Sequence, residues 1–111
     1  MSKVCDTSFL LSQCENDQEM FLAMIDLFKT NAPIYMKKIQ EAFQERKAEE
    51  LKDGAHAFLS SLKLMGAHEA VEITKRIETK AMEGKVEDLG EQVDLLSVNV
   101  EKALEEVKKI G

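Results

Sequence analysis

Between Val86 and Val107 the apolar residues Val86, Leu89, Val93, Leu96, Val100, Leu104 and Val107 recur in steps of three and four. That period belongs to an amphipathic α-helix with a heptad-like seam, which must be covered by a neighbour or by a second chain. The same spacing recurs upstream. Met20, Phe21, Met24, Ile25 and Phe28 form one stripe, continued by Met36, Ile39, Ala42 and Phe43. Leu51, Ala55, Phe58, Leu62 and Met65 form another, and Ala70, Ile73, Ile77 and Ala81 a further one. Five Gly and one Pro leave little material for turns, which disfavours an all-β fold. Long helices with one stripe each and short connections predict an all-α antiparallel four-helix bundle. A short extra N-terminal helix, carrying Phe9, Leu10 and Leu11, is expected at one end.

The punctuation places the boundaries. Thr7 can cap the short first helix, and Asn16-Asp17 ends it and caps the next. Leu22 and Leu27 widen the second helix's stripe, which predicts burial on more than one side. Pro33 fits either the first turn of a new helix or a kink in a continuing one. A turn is expected at Arg46-Lys47. The next helix runs from Ala48 to Met65 and is closed by Gly66. Gly54 lies inside it, at a cost of up to about 1 kcal/mol relative to Ala. Gly84 ends the following helix, and Gly90 weakens the first turn of the last. Residues 1–111 read as a single domain, with residues 1–7 expected to be flexible.

Charge and composition narrow the function classes. A net charge of −6 argues against a nucleic-acid surface. Lys37-Lys38 and Lys108-Lys109 sit among acids and read as solvated helix faces. No stretch approaches the roughly 18 apolar residues of a membrane span, and the first residues lack an apolar leader. The expectation is a cytoplasmic chain, monomeric because the stripes suffice for one core. Cys5 and Cys14 fit no CxxC spacing and read as free thiols. No Gly-rich phosphate loop, GxSxG elbow or HExxH pair is present. His68 follows Gly66-Ala67 at a helix start and has no motif partner.

His56 remains. Leu51, Ala55, Phe58, Leu62 and Met65 fall within roughly 40° of one line on a helical wheel, and His56 projects about 140° from it. It should be exposed and flanked by Lys52 and Lys63, which project to the same side. A solvated imidazole has an ordinary pKa near 6.5 and is largely neutral at pH 7. The neutral ring can attack phosphorus and carry the group as a phosphoramidate. Such transfer needs exposure to a second protein and cations near the equatorial oxygens.

Ala55-His56, Phe58, Ser60-Ser61, and Gly66-Ala67 at ten and eleven after the histidine resemble the histidine-containing phosphotransfer (HPt) domain family. The spacing from His56 to Gly66-Ala67 is the specific part. Phe28 and Pro33 sit where this family carries a Phe and a Pro before its histidine. The resemblance spans Ser8 to Lys109. One departure matters: the family usually has Lys three residues after the histidine, and here that residue is Leu59. Ser60 is a milder variation on a position that is often Gly.

The resemblance implies a phosphoryl carrier rather than a turnover enzyme. His56 would accept a phosphoryl group from a receiver-domain aspartate or a kinase relay and pass it to another receiver. The implied partners are a response-regulator receiver domain and a sensor histidine kinase. No cofactor is implied on this chain, and Mg²⁺ would sit on the receiver. Phe58 and Leu62 would pack, and Ala57, Leu59 and Leu64 would face the docking partner. Gly66 would permit the turn and a close helix approach. On the wheel Leu59 lies about 80° from the stripe, between core and His56. A Lys there could neutralise phosphoryl charge, and Leu cannot. Lys63 leans toward His56 and can partly substitute, whereas Lys52 leans away. Ser60 is placed to hydrogen-bond the imidazole or a phosphoryl oxygen. The alternative is a phosphorylation-independent adaptor that keeps the docking face and has lost transfer; Leu59 favours it, and intact His56 favours transfer.

Overall fold

The computed structural model describes residues 4–110, and among these there is helix and turn but no strand. Helix α1 spans Ser8–Gln13, α2 Gln18–Gln44, α3 Ala48–Leu64, α4 His68–Met82 and α5 Gly90–Lys108. Helices α2 to α5 form the bundle. Helix α3 packs most extensively on α4, and α2 lies against both α3 and α5. Each predicted stripe supplies the core: Ile25, Ile39, Leu51, Ala55, Phe58, Leu62, Ile77, Leu96 and Val107 are all fully buried. The α5 seam is thereby covered within its own bundle.

The apolar segments on either side of Pro33 are one helix of 27 residues. The exposed proline removes an N–H only on the solvent side, and the helix continues through it. Asp17 caps α2 as expected, its carboxylate accepting from the Met20 N–H at 3.2 Å. Tyr35 of α2 stacks on Phe58 of α3 with centroids 5.2 Å apart. That contact fixes the level of α3 two residues past His56.

Three inter-helix turns share one construction. Arg46, Gly66 and Gly84 each adopt positive φ, and the N–H after each reaches back five residues: Lys47 to Ala42, Ala67 to Leu62, Lys85 to Lys80. This left-handed closure occupies the last free carbonyls of a helix. Arg46 does it without being glycine, and its guanidinium lies 4.9 Å over the Phe43 ring.

Several expectations are corrected. Met20, Leu22 and Leu27 are exposed, so α2 buries a single face. Thr7 precedes α1 but makes no side-chain cap; Asp6 does the capping, accepting from the backbone N–H and hydroxyl of Ser8. Those bonds hold the Asp6 carboxyl below the usual carboxylate range. The last helix begins at Gly90, behind a single tight turn over Glu87–Leu89.

Residues 4–7 are hydrogen-bonded to the bundle, while 1–3 lie outside the described residues. The Glu106 carboxylate of α5 accepts the Val4 N–H at 2.6 Å and the Cys5 N–H at 3.0 Å. The Asp6 N–H donates to the Gly66 carbonyl at 3.2 Å. Both Cys5 and Cys14 are buried free thiols. Burial, with Glu106 beside it, pushes the Cys5 thiol up to about 12.

Candidate phosphoryl-acceptor site

His56 lies in the middle of α3 with 74% of its side chain exposed. It stands on an open surface, and the cavities beside Cys5, Tyr35 and Pro33 are lined by other residues. Its Nδ1 lies 2.6 Å from Oε2 of Glu78, which projects from α4. Glu78 is the more enclosed partner, with 20% of its side chain exposed. An ionised carboxylate only accepts, so the imidazole proton belongs on Nδ1 and points at Glu78. In the neutral ring that leaves the Nε2 lone pair free. Sequence reasoning missed Glu78. It is 22 residues from His56, and only the antiparallel register of α3 and α4 brings them together.

The other candidate residues separate into three groups. Lys63, Ser60 and Ala57 are exposed, and Leu64 is half-buried. No carboxylate lies within ion-pair distance of Lys63 among the described residues, so its ammonium is available. Ser60 makes no hydrogen bond to the imidazole among the described residues. Lys52 is committed to its own helix. Its Nζ lies 3.3 Å from Glu49 and 3.5 Å from Asp53, and the hydrogen bond and charge of Glu49, with Asp53, raise its pKa.

Leu59 is the correction. Only 7% exposed, it belongs to the core cluster and offers no docking surface. The wheel placed it on the flank of the stripe, and the packing of α3 between α4 and α2 buries that flank as well. Phe58 and Leu62 are fully buried, as packing residues should be.

Gly66 closes α3 at φ +65°. A Cβ built there would lie 2.2 Å from the Asp6 carbonyl oxygen. The close approach that glycine permits is therefore to the segment before α1, where a neighbouring helix was expected. His68, at the first position of α4, is exposed and carries no contact that suggests chemistry.

An exposed imidazole, oriented by a carboxylate on a rigid helical bundle, meets a family match that covers most of the chain. The model of the Hpt domain matches residues 23–110. The chain belongs to the Hpt domain family. Hpt domains are phosphotransfer carriers that work with receiver domains and histidine kinases, and this one is a phosphorelay intermediate of two-component signalling. The fold agrees. The crystal structure of histidine-containing phosphotransfer protein B (HptB) from Pseudomonas aeruginosa PAO1 is similar with a TM-score of 0.89 and 19% identity, over 98% of this chain and 95% of that one. The HPT domain of a sensor hybrid histidine kinase from Shewanella gives a TM-score of 0.84 and 19% identity, over 96% and 92%. No curated relative matches the sequence. No helix among the described residues is long and apolar enough to cross a membrane.

Proposed function

We propose that His56 is the phosphoryl acceptor of this Hpt domain and that Nε2 is the attacking atom. The observation that supports this is the 2.6 Å contact between Nδ1 and Glu78 on an otherwise open ring. A receiver presents its phospho-aspartate, the Nε2 lone pair forms the new P–N bond, and the P–O bond to aspartate breaks. The aspartate leaves as a carboxylate. The ring keeps its Nδ1 proton and becomes cationic, and the Glu78 carboxylate balances that charge. The reverse sequence delivers the group to a second receiver. Lys63 neutralises part of the charge on the equatorial oxygens. Mg²⁺ belongs to the receiver, and Ala57 and Leu64 lie on the surface that meets it. Carrier action of this kind is stoichiometric, without turnover of a free substrate, and takes place in the cytoplasm.

The test is incubation with a phosphorylated receiver domain, then detection of phosphohistidine and assignment of the modified nitrogen. Label on Nε2 of His56 is expected. Label on another residue sinks the assignment. No label, with the receiver confirmed charged, favours the adaptor reading, for which Leu59 in place of the family's Lys is the motivating feature.

A further inference from the structure

On the reading that His56 is the phosphoryl acceptor, we propose that Met82 of α4 is a docking residue for the receiver domain, an apolar contact that carries the His56 surface from α3 onto α4. Met82 is 68% exposed, and among the described residues no other large apolar side chain is as open; the next is Met20, at 52%. On α3 and α4 it is the one exposed large apolar side chain. A single apolar residue in water is common and carries no message by itself. The place of this one does. The turn at Gly66 makes α3 and α4 antiparallel neighbours, and the 2.6 Å contact between His56 and Glu78 fixes their register. Met82 follows Glu78 by four residues, one turn on along the same side of α4 and about 40° further round toward solvent. In that register it stands level with Lys52, one turn before His56 on α3. Helical side chains lean toward the N-terminus of their helix, so Met82 leans from the end of α4 back toward Glu78 and the imidazole.

Continuity with His56 selects the occupant. Packed helices lie about 8–10 Å apart and one turn rises about 5.4 Å, which sets the Met82 backbone roughly 10 Å from that of His56. Phosphoryl transfer brings the receiver within bonding reach of Nε2, so its footprint is centred on His56. Even a weak, transient interface covers about 500 Å² per partner, a patch roughly 12 Å in radius. Met82 therefore falls inside that footprint. Lys52, Ser60 and Lys63 on α3 and Thr79 on α4 give the rest of this side a polar character, and Met82 supplies its apolar anchor. The partner it fits is a receiver with an apolar side chain on the rim of its aspartate site. A relay carrier offers one face to two partners in turn, the donor and the recipient. An unbranched thioether can reshape its contact for each of them.

The experiment has two readouts on the full chain, with circular dichroism to verify folding. A receiver domain that binds the wild type is titrated by calorimetry, which gives a Kd without any transfer. Phosphoramidate, which gives its phosphoryl group to an imidazole and releases ammonia, labels His56 without a partner. Met82→Glu should raise the Kd at least about tenfold, because the new carboxylate is desolvated without a partner. Met82→Lys, of opposite charge, should raise it as well, which a purely electrostatic role would not do. Met82→Leu keeps the apolar volume and should stay within about twofold of wild type. Labelling by phosphoramidate should be the same in all four proteins. An unchanged Kd in Met82→Glu overturns the proposal and leaves His56 standing. Slower phosphoramidate labelling in Met82→Glu also overturns it, by placing Met82 in the chemistry. Absence of label in the wild type, with a Kd that still depends on Met82, sinks the His56 assignment and keeps the docking contact.

Discussion

The surface around His56 and the end of the bundle around Gly66 are ten residues apart on one stretch of chain, yet they tolerate change in opposite ways. At His56 the working atoms belong to side chains, one hydrogen bond orients them, and water covers most of the ring. At Gly66 the working atoms belong to the backbone. A positive φ turns the chain, its carbonyl accepts from Asp6, and no side chain fits against the Asp6 carbonyl. The first region can therefore lose its chemistry while the fold stands. The second should lose the fold while the chemistry of the surviving folded molecules stays intact.

His56→Gln gives the largest contrast. Phosphoryl acceptance should vanish, while stability should stay within about 0.5 kcal/mol of wild type, as for other exposed sites. Transfer assays and thermal melts on the same preparation check both halves, and an unfolded variant would make His56 structural. Gly66→Ala should do the reverse. A left-handed non-glycine residue costs about 1–2 kcal/mol and the clash with Asp6 about 1–3 more, giving a loss of roughly 2–5 kcal/mol. Urea denaturation measures it, and labelling normalised to folded protein should be unchanged.

Glu78→Ala comes next, because the ring then loses the acceptor that fixes its proton on Nδ1. A hydrogen bond to a charged group is worth about 1.5–3 kcal/mol, so transfer should slow by at least about tenfold. An unchanged single-turnover rate would remove Glu78 from the mechanism. Gly84→Ala isolates the conformational part of the Gly66 effect. Gly84 has a similar positive φ, and beyond its chain neighbours no atom lies within 4 Å of an added Cβ. It should cost only about 1–2 kcal/mol, and parity with Gly66→Ala would refute the role given to the Asp6 contact. The smallest effect belongs to Lys63→Ala. An exposed cation is heavily screened, so a few-fold slowing that shrinks further in high salt is expected.

Helical spacing carried most of the fold, because a buried stripe is a property of one helix and can be read from one segment. It gave α3 its core residues, its exposed His56 and its terminator Gly66. What it could not give was the neighbour. Glu78 meets His56 only through the register of two helices. Leu59 is buried because the neighbours of α3 cover more of the helix than the apolar stripe alone. Its replacement by Lys, which charge alone would favour, must now also extract a core side chain. Leu27 fails in the opposite sense: hydrophobicity predicted burial, but α2 has neighbours on only one face. Glu106 lies about a hundred residues from the backbone it holds, and nothing local announces that.

That carboxylate has a consequence for the order in which the molecule assembles. Its bonds to Val4 and Cys5 span 102 and 101 residues, so they close a loop made of nearly the entire chain. Loop closure of that length is entropically unfavourable until the intervening helices have already drawn the two ends together. The turns at Arg46, Gly66 and Gly84 need only a few residues each, and they can form while the rest is still open. The clamp is therefore among the last contacts made in folding and the first to open in the native state. The amides of Val4 and Cys5 should exchange hydrogen with solvent through that local release, long before the core of α3 and α4 does.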